Sequence, residues 1–126
     1  MKDRLDLGLL TQPEATSEYE NRGRQRKALV QFLKSKAWLH EDIPSEGAVL
    51  KAWLSHLAQG NTDLVLVNIE DLWLEPLPQN VPGTWEERPN WKRKAAYSWE
   101  TISQMSSVLD TLRAVHDSRN AQGGNP

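Results

Sequence analysis

The chain has no cysteine, so disulfides and thiolate chemistry are excluded. It has no excess of either charge: 15 basic residues stand against 17 acidic ones, for a net charge of −2. That balance argues against a nucleic-acid or membrane surface spread over the whole chain. No stretch approaches the roughly 18 apolar residues of a membrane span. The opening "MKDRLDLGLLTQPEATSEYE" lacks the apolar run of a signal peptide, so a soluble cytoplasmic protein is expected. There is no Gly-x-Ser-x-Gly, no Gly-rich phosphate loop and no cluster at metal-ligand spacing, so no catalytic nucleophile, metal or cofactor is expected. Phenylalanine is nearly absent, with one residue against six tryptophans, and four of those six lie between Trp73 and Trp99. A length of 126 residues suits one domain with a modest core.

Residues 1–16 read as a loosely ordered lead-in and 117–126 as a disordered tail. Ser17 to Glu20 has the Ser-x-x-Glu form of a capping box, which predicts a helix start. Behind it, Ala28, Leu29, Phe32, Leu33 and Ala37 share one helical face, and Arg22, Arg24, Arg26 and Lys27 form a solvated basic face. A second helix is expected from an N-cap at Ser45 to a stop at Gly60-Asn61. Its apolar stripe is Val49, Leu50, Trp53, Leu54 and Leu57; His56 beside it has no second ligand at metal spacing. A last helix opens at Ser98 and carries Ile102, Met105, Val108, Leu109, Leu112 and Val115 on one face.

The run Leu64 to Val67, followed by Ile69, is continuously apolar, rich in β-branched residues and short, so it predicts a strand over about 63–69 buried on both faces. Such a strand needs neighbours, and no second one is evident. The order helix, helix, strand, long loop, helix fits the closing part of an α/β barrel or open α/β sheet. In a barrel of eight strands and helices, loops leaving the C-terminal strand ends face the active site. The long proline-rich loop after this strand is such a segment.

The stretch "QNVPGTWEERPNWKRK", Gln79 to Lys94, carries the chemistry. Asn80-Val81-Pro82-Gly83 has turn chemistry, with proline fixing φ and glycine tolerating positive φ. The Asn80 amide offers donors and an acceptor, which suits paired sugar hydroxyls. Trp85 and Trp91 are flat and amphipathic; they either stack on a pyranose ring or pack the loop onto the fold. The Lys92-Arg93-Lys94 cluster is short and offset by Glu86 and Glu87, so no nucleic-acid partner is expected. Glu70 and Asp71 are adjacent and, on a strand, would point to opposite faces. They are better suited to capping a turn or bonding loop amides than to flanking one bond.

The segment "LVNIEDLWLEPLPQNVPGTWEERPNWKRK" resembles the C-terminal end of the 4-α-glucanotransferases, also called amylomaltases or disproportionating enzymes. The resemblance rests on Glu70-Asp71-Leu72, on Asn80-x-Pro82-Gly83-Thr84, and on Pro89-Asn90-Trp91 followed by basic residues. It is specific between Asp63 and Lys94 and loose elsewhere. It implies an α/β fold: residues 17–116 as the C-terminal portion of a (β/α)8 TIM barrel, mostly helical, with one clear strand and a long Pro-rich loop. It further implies transfer of α-1,4-glucan segments with retention. Retention needs a carboxylate nucleophile and an acid/base about 5–5.5 Å apart. In the family these lie upstream of the matched segment, so no catalytic residue is expected here.

On the same resemblance Asn80, Pro82, Gly83 and Trp91 are the expected substrate-binding residues. Asp71 and Asn90 are expected to support the loop. Trp73, Trp85 and Trp99 take no role from it. The implied partners are an α-1,4-glucan or maltooligosaccharide and either the missing N-terminal barrel chain or a second copy, with no nucleic acid and no membrane. Two other readings stand beside this one: a free-standing maltooligosaccharide-binding or regulatory module, and a structural remnant without activity.

Overall fold

The computed structural model describes residues 2–121, with side-chain surroundings from Arg4 onward. Five α-helices and one 3-10 turn make up its regular structure: α1 (Lys2–Asp6), α2 (Gln12–Ser35), α3 (Glu46–Gln59), the 3-10 turn (Ile69–Trp73), α4 (Trp99–Ile102) and α5 (Ser106–Asn120). None of these helices is long and apolar enough to cross a membrane. The chain divides into two units. One comprises the residues up to Leu29 with Pro76–Lys94; the other comprises Val30–Glu75 with the residues from Ala95 on. Helix α2 runs through the point of division.

The expected α/β architecture does not form. Among the described residues there is no strand and no sheet, so this is not the strand-bearing end of a (β/α)8 barrel. Residues 64–68 have no regular structure, with Asn68 extended at their end, and 69 already belongs to the 3-10 turn. Leu64 and Leu66 are 71% and 82% exposed, while Val67 packs against the core. The physical reason is the lack of a neighbour: a β-rich run becomes a strand only when another strand takes its amides and carbonyls. Local chemistry then ends the run. Asn68 donates its side-chain amide to Asp71 Oδ1 at 3.2 Å, and the Asp71 N–H reaches the Asn68 carbonyl at 3.1 Å.

Helix α2 begins earlier than the Ser17 box suggests. Thr11 and Glu14 form the working capping box. The Thr11 N–H and hydroxyl both donate to Glu14 Oε2 at 2.7 Å, and the Glu14 N–H returns to Thr11 Oγ1 at 3.4 Å. Pro13 sits in the first turn, where its missing N–H removes nothing the helix needs. At the other end Ala37 takes a left-handed φ of 59°, and the Trp38 N–H reaches back to the Leu33 carbonyl at 2.9 Å. That is a Schellman-type stop with alanine where glycine is favoured.

The second unit holds the core. Helices α3 and α5 pack on each other, and the 3-10 turn adds Leu72. Leu54, Leu72, Ile102 and Val108 form the buried cluster, with Leu50, Val67, Trp73, Met105 and Val115 against it. Helix α3 starts at Ser45, whose hydroxyl accepts from the Ala48 N–H at 3.2 Å, and ends at Gly60. The expected last helix is two helices. Ser98 caps α4, the chain breaks after Ile102, and α5 starts anew at Ser106. Thr111 is buried at the centre of α5 because its hydroxyl bonds the Ser107 carbonyl one turn back at 2.8 Å. Beside this core Phe32, Trp38 and Trp53 surround His56, with ring centroids 5.1, 6.1 and 5.8 Å from the imidazole. Of the expected tail 117–126, α5 occupies the part up to Asn120, and 122–126 lie outside the described residues.

Candidate functional site

The proline-rich loop belongs to the first unit, and it is held by side chains bonding to backbone. Pro76 and Pro78 have no N–H, so the arm they form cannot pair by a backbone ladder. Its carbonyls are met instead by arginines. Arg93 Nη2 donates to the Leu77 carbonyl at 2.7 Å and Arg88 Nη2 to the Pro78 carbonyl at 3.1 Å. Gln79 Nε2 donates to the Arg93 carbonyl at 3.1 Å, and the Trp91 N–H donates to the Gln79 carbonyl at 2.9 Å. Residues 77–81 and 88–93 are thereby clamped as two arms, and residues 82–87 form the tip.

The tip begins with a tight turn. The Thr84 N–H and hydroxyl both reach the Val81 carbonyl, at 3.3 and 2.7 Å, and Gly83 has a φ of 87°. Pro82 followed by a positive-φ glycine is a type II turn. A side chain at Gly83 would be strained by that φ, although the nearest neighbour of an added Cβ, Leu9 Cδ2, is 3.9 Å away.

The two asparagines are used differently. Asn90 is fully committed: its Oδ1 accepts from the Val81 N–H at 3.0 Å, and its Nδ2 donates to Thr84 Oγ1 at 2.9 Å and to the Thr84 carbonyl at 3.4 Å. Val81, only 3% exposed, is the fixed point of the turn. Asn80 is half-buried, and its amide has no hydrogen bond among the described residues. Trp91 is 75% exposed on a backbone with a φ of 59°, a conformation that costs a bulky residue about 1–2 kcal/mol. Asp71 stands in the 3-10 turn of the second unit, where its carboxylate bonds Asn68. Asn80, Pro82, Gly83, Asn90 and Trp91 thus lie in one clamped loop, and Asp71 holds a separate local turn.

Sequence reasoning missed the clamps. Arg93 read only as part of a basic cluster, yet it donates to a carbonyl 16 residues away, and Arg88, which drew no reading, donates to one 10 residues away. Two prolines flanking Leu77 were the available signal, since an arm short of donors needs them from elsewhere. Glu87 also works locally, accepting from the Trp85 N–H at 3.1 Å. A cavity of 380 Å³ in the second unit is lined by Leu50, Lys51, Leu72, Trp73, Tyr97 and Met105 among others. Two of its polar groups are already engaged: the Thr111 hydroxyl holds Ser107 and the Asp110 carboxylate pairs with Arg113. The clamped loop is therefore the stronger candidate.

The family profile described as 4-alpha-glucanotransferase matches residues 13–99. The chain belongs to the 4-alpha-glucanotransferase family. A 4-alpha-glucanotransferase of Haemophilus influenzae is 25% identical over 121 residues, covering 90% of this chain and 17% of that protein. The chain thus spans about a sixth of the length of the curated relative it matches. No solved structure matches it. The 4-alpha-glucanotransferase match includes the whole clamped loop and ends at the start of α4.

Proposed function

We propose that this chain supplies a glucan-binding loop to 4-alpha-glucanotransfer and does not carry out the transfer by itself. The observation that carries the reading is the contrast between the two loop asparagines. Asn90 spends its whole amide on Val81 and Thr84, whereas Asn80, at the edge of the same rigid turn, keeps its donors and acceptor for a ligand. An amide of that kind matches the vicinal hydroxyls of an α-1,4-linked glucose unit. Asn80 is the first sugar contact in this reading. Pro82 and Gly83 set its backbone, Trp91 offers an apolar face for a ring, and Asn90 keeps the turn in shape. Transfer with retention needs a nucleophile and an acid/base on either side of the scissile bond, and the resemblance assigns both to the sequence upstream of the matched segment.

Binding and complementation are tested separately. Calorimetry with maltohexaose should detect binding by the full chain, and Asn80→Ala should weaken it at least tenfold. A folded chain that binds no maltooligosaccharide would refute the reading. Mixing the chain with a second polypeptide carrying the rest of a 4-alpha-glucanotransferase should then restore maltotriose disproportionation. Binding without any gain in transfer would leave a free-standing glucan-binding module, which the self-contained bonding of the loop favours as the second reading.

A further inference from the structure

Three of the six tryptophans have aromatic partners. Trp38 and Trp53 belong to the ring cluster at His56, and Trp73 meets Tyr97 edge to face at 5.6 Å. Trp85, Trp91 and Trp99 have no ring contact among the described residues. Trp85 is the most exposed of them, at 80%. Its backbone is nevertheless tethered on the N-terminal side. The preceding residue, Thr84, is held by Val81 and Asn90, and its own N–H is held by Glu87. At 80% exposure the indole gains little from burial on folding. It is suited to contact, because a two-torsion aromatic ring offers broad area at little cost in conformational freedom.

The position of Trp85 sets how far that contact lies from Asn80. Asn80 and Trp85 are the residues immediately before and after the four-residue turn Val81 to Thr84. The ends of such a turn are within about 7 Å, and each flanking residue lies one step of about 3.8 Å beyond. A chain of two or three sugar units covers such a span. We infer that Trp85 is a second sugar-contacting residue, its indole stacking on a glucose unit that adjoins the one held by the Asn80 amide. The ligand class is an α-1,4-linked oligosaccharide of at least two units. This inference rests on the glucan-binding reading of the loop and adds a specificity-determining residue to it.

The test is calorimetric titration of the full chain and three variants, Trp85→Ala, Trp85→Phe and Asn80→Ala, with maltohexaose. Trp85→Ala is expected to weaken binding about three- to tenfold, the range of one lost aromatic stack. Trp85→Phe should restore most of that loss, and neither variant should shift the melting temperature. Unchanged affinity in Trp85→Ala, with Asn80→Ala still impaired, would overturn the role of Trp85 and leave the loop reading standing. Absence of maltohexaose binding by the parent chain would overturn both. A fall in melting temperature with unchanged affinity would make Trp85 a packing residue and end the proposal.

Discussion

Replacing Asn90 with alanine removes the acceptor of the Val81 N–H and both donors to Thr84. Val81 is buried, so its amide cannot turn to water without opening the turn. A neutral hydrogen bond contributes about 1 kcal/mol net, and a buried donor left without a partner costs about 1–3 kcal/mol. Opening of the turn should therefore become easier by about 2–3 kcal/mol. In amide hydrogen exchange followed by NMR, protection of the Val81 N–H should fall roughly 30- to 150-fold, at a decade per 1.4 kcal/mol. Two controls isolate the cause. Asn90→Asp keeps an acceptor for Val81 and should lose less protection. Asn80→Ala removes an amide with no hydrogen bond among the described residues and should leave Val81 unchanged. Undiminished protection in Asn90→Ala would show that the staple does not hold the turn, and the division of labour between the two asparagines would fail with it.

Ala37 occupies a left-handed position, so Ala37→Gly should stabilise the fold by about 1 kcal/mol in urea denaturation, an unusual gain for a glycine. Ser45→Ala should cost about 1 kcal/mol in the same measurement by removing the cap on the Ala48 N–H. The Glu14 carboxyl is held below its ordinary value of 4.5 by the Thr11 N–H first and the Thr11 hydroxyl second. A lowered folded pKa stabilises above the ordinary value and loses that contribution as pH falls through the lowered one. Helicity by circular dichroism should thus fall on acidification below about 4.5 in the parent, and less steeply in Glu14→Ala. Identical profiles would remove Glu14 from the account of how α2 begins.

Local signals in the sequence were readable where the partner lies within a turn. Ser45, Gly60 and Ser98 each mark a helix end, because a cap needs only neighbours three or four residues away. Two Ser/Thr-x-x-Glu patterns compete at α2, and the earlier one prevails because Pro13 is harmless in a first turn. The misread segment is 63–69. Its composition is that of a strand, but a strand is a property of a pair, and no sequence window contains the partner. The loop was legible at its tip, where Pro82-Gly83 dictates the turn, and illegible in its arms, where Arg88 and Arg93 act across 10 and 16 residues. The contrast between Asn80 and Asn90 was invisible for the same reason. Both are asparagines in a turn-rich stretch, and only the geometry shows which amide is spent.

The clamp of the loop has a consequence for how its sequence can drift. Arg88, Gln79 and Arg93 bond to main-chain carbonyls, and a carbonyl is the same whatever residue carries it. The identity of Leu77 is therefore unconstrained by the bond it receives, while Arg93, which supplies that bond, is not replaceable by a shorter or neutral side chain. In a library randomised across 77–93, diversity should concentrate at Leu77, which only receives a bond, and at tip positions beyond Thr84, while the donors Gln79, Arg88 and Arg93 should stay fixed. A loop built in this way can vary the surface it presents to a ligand without altering the frame that holds it.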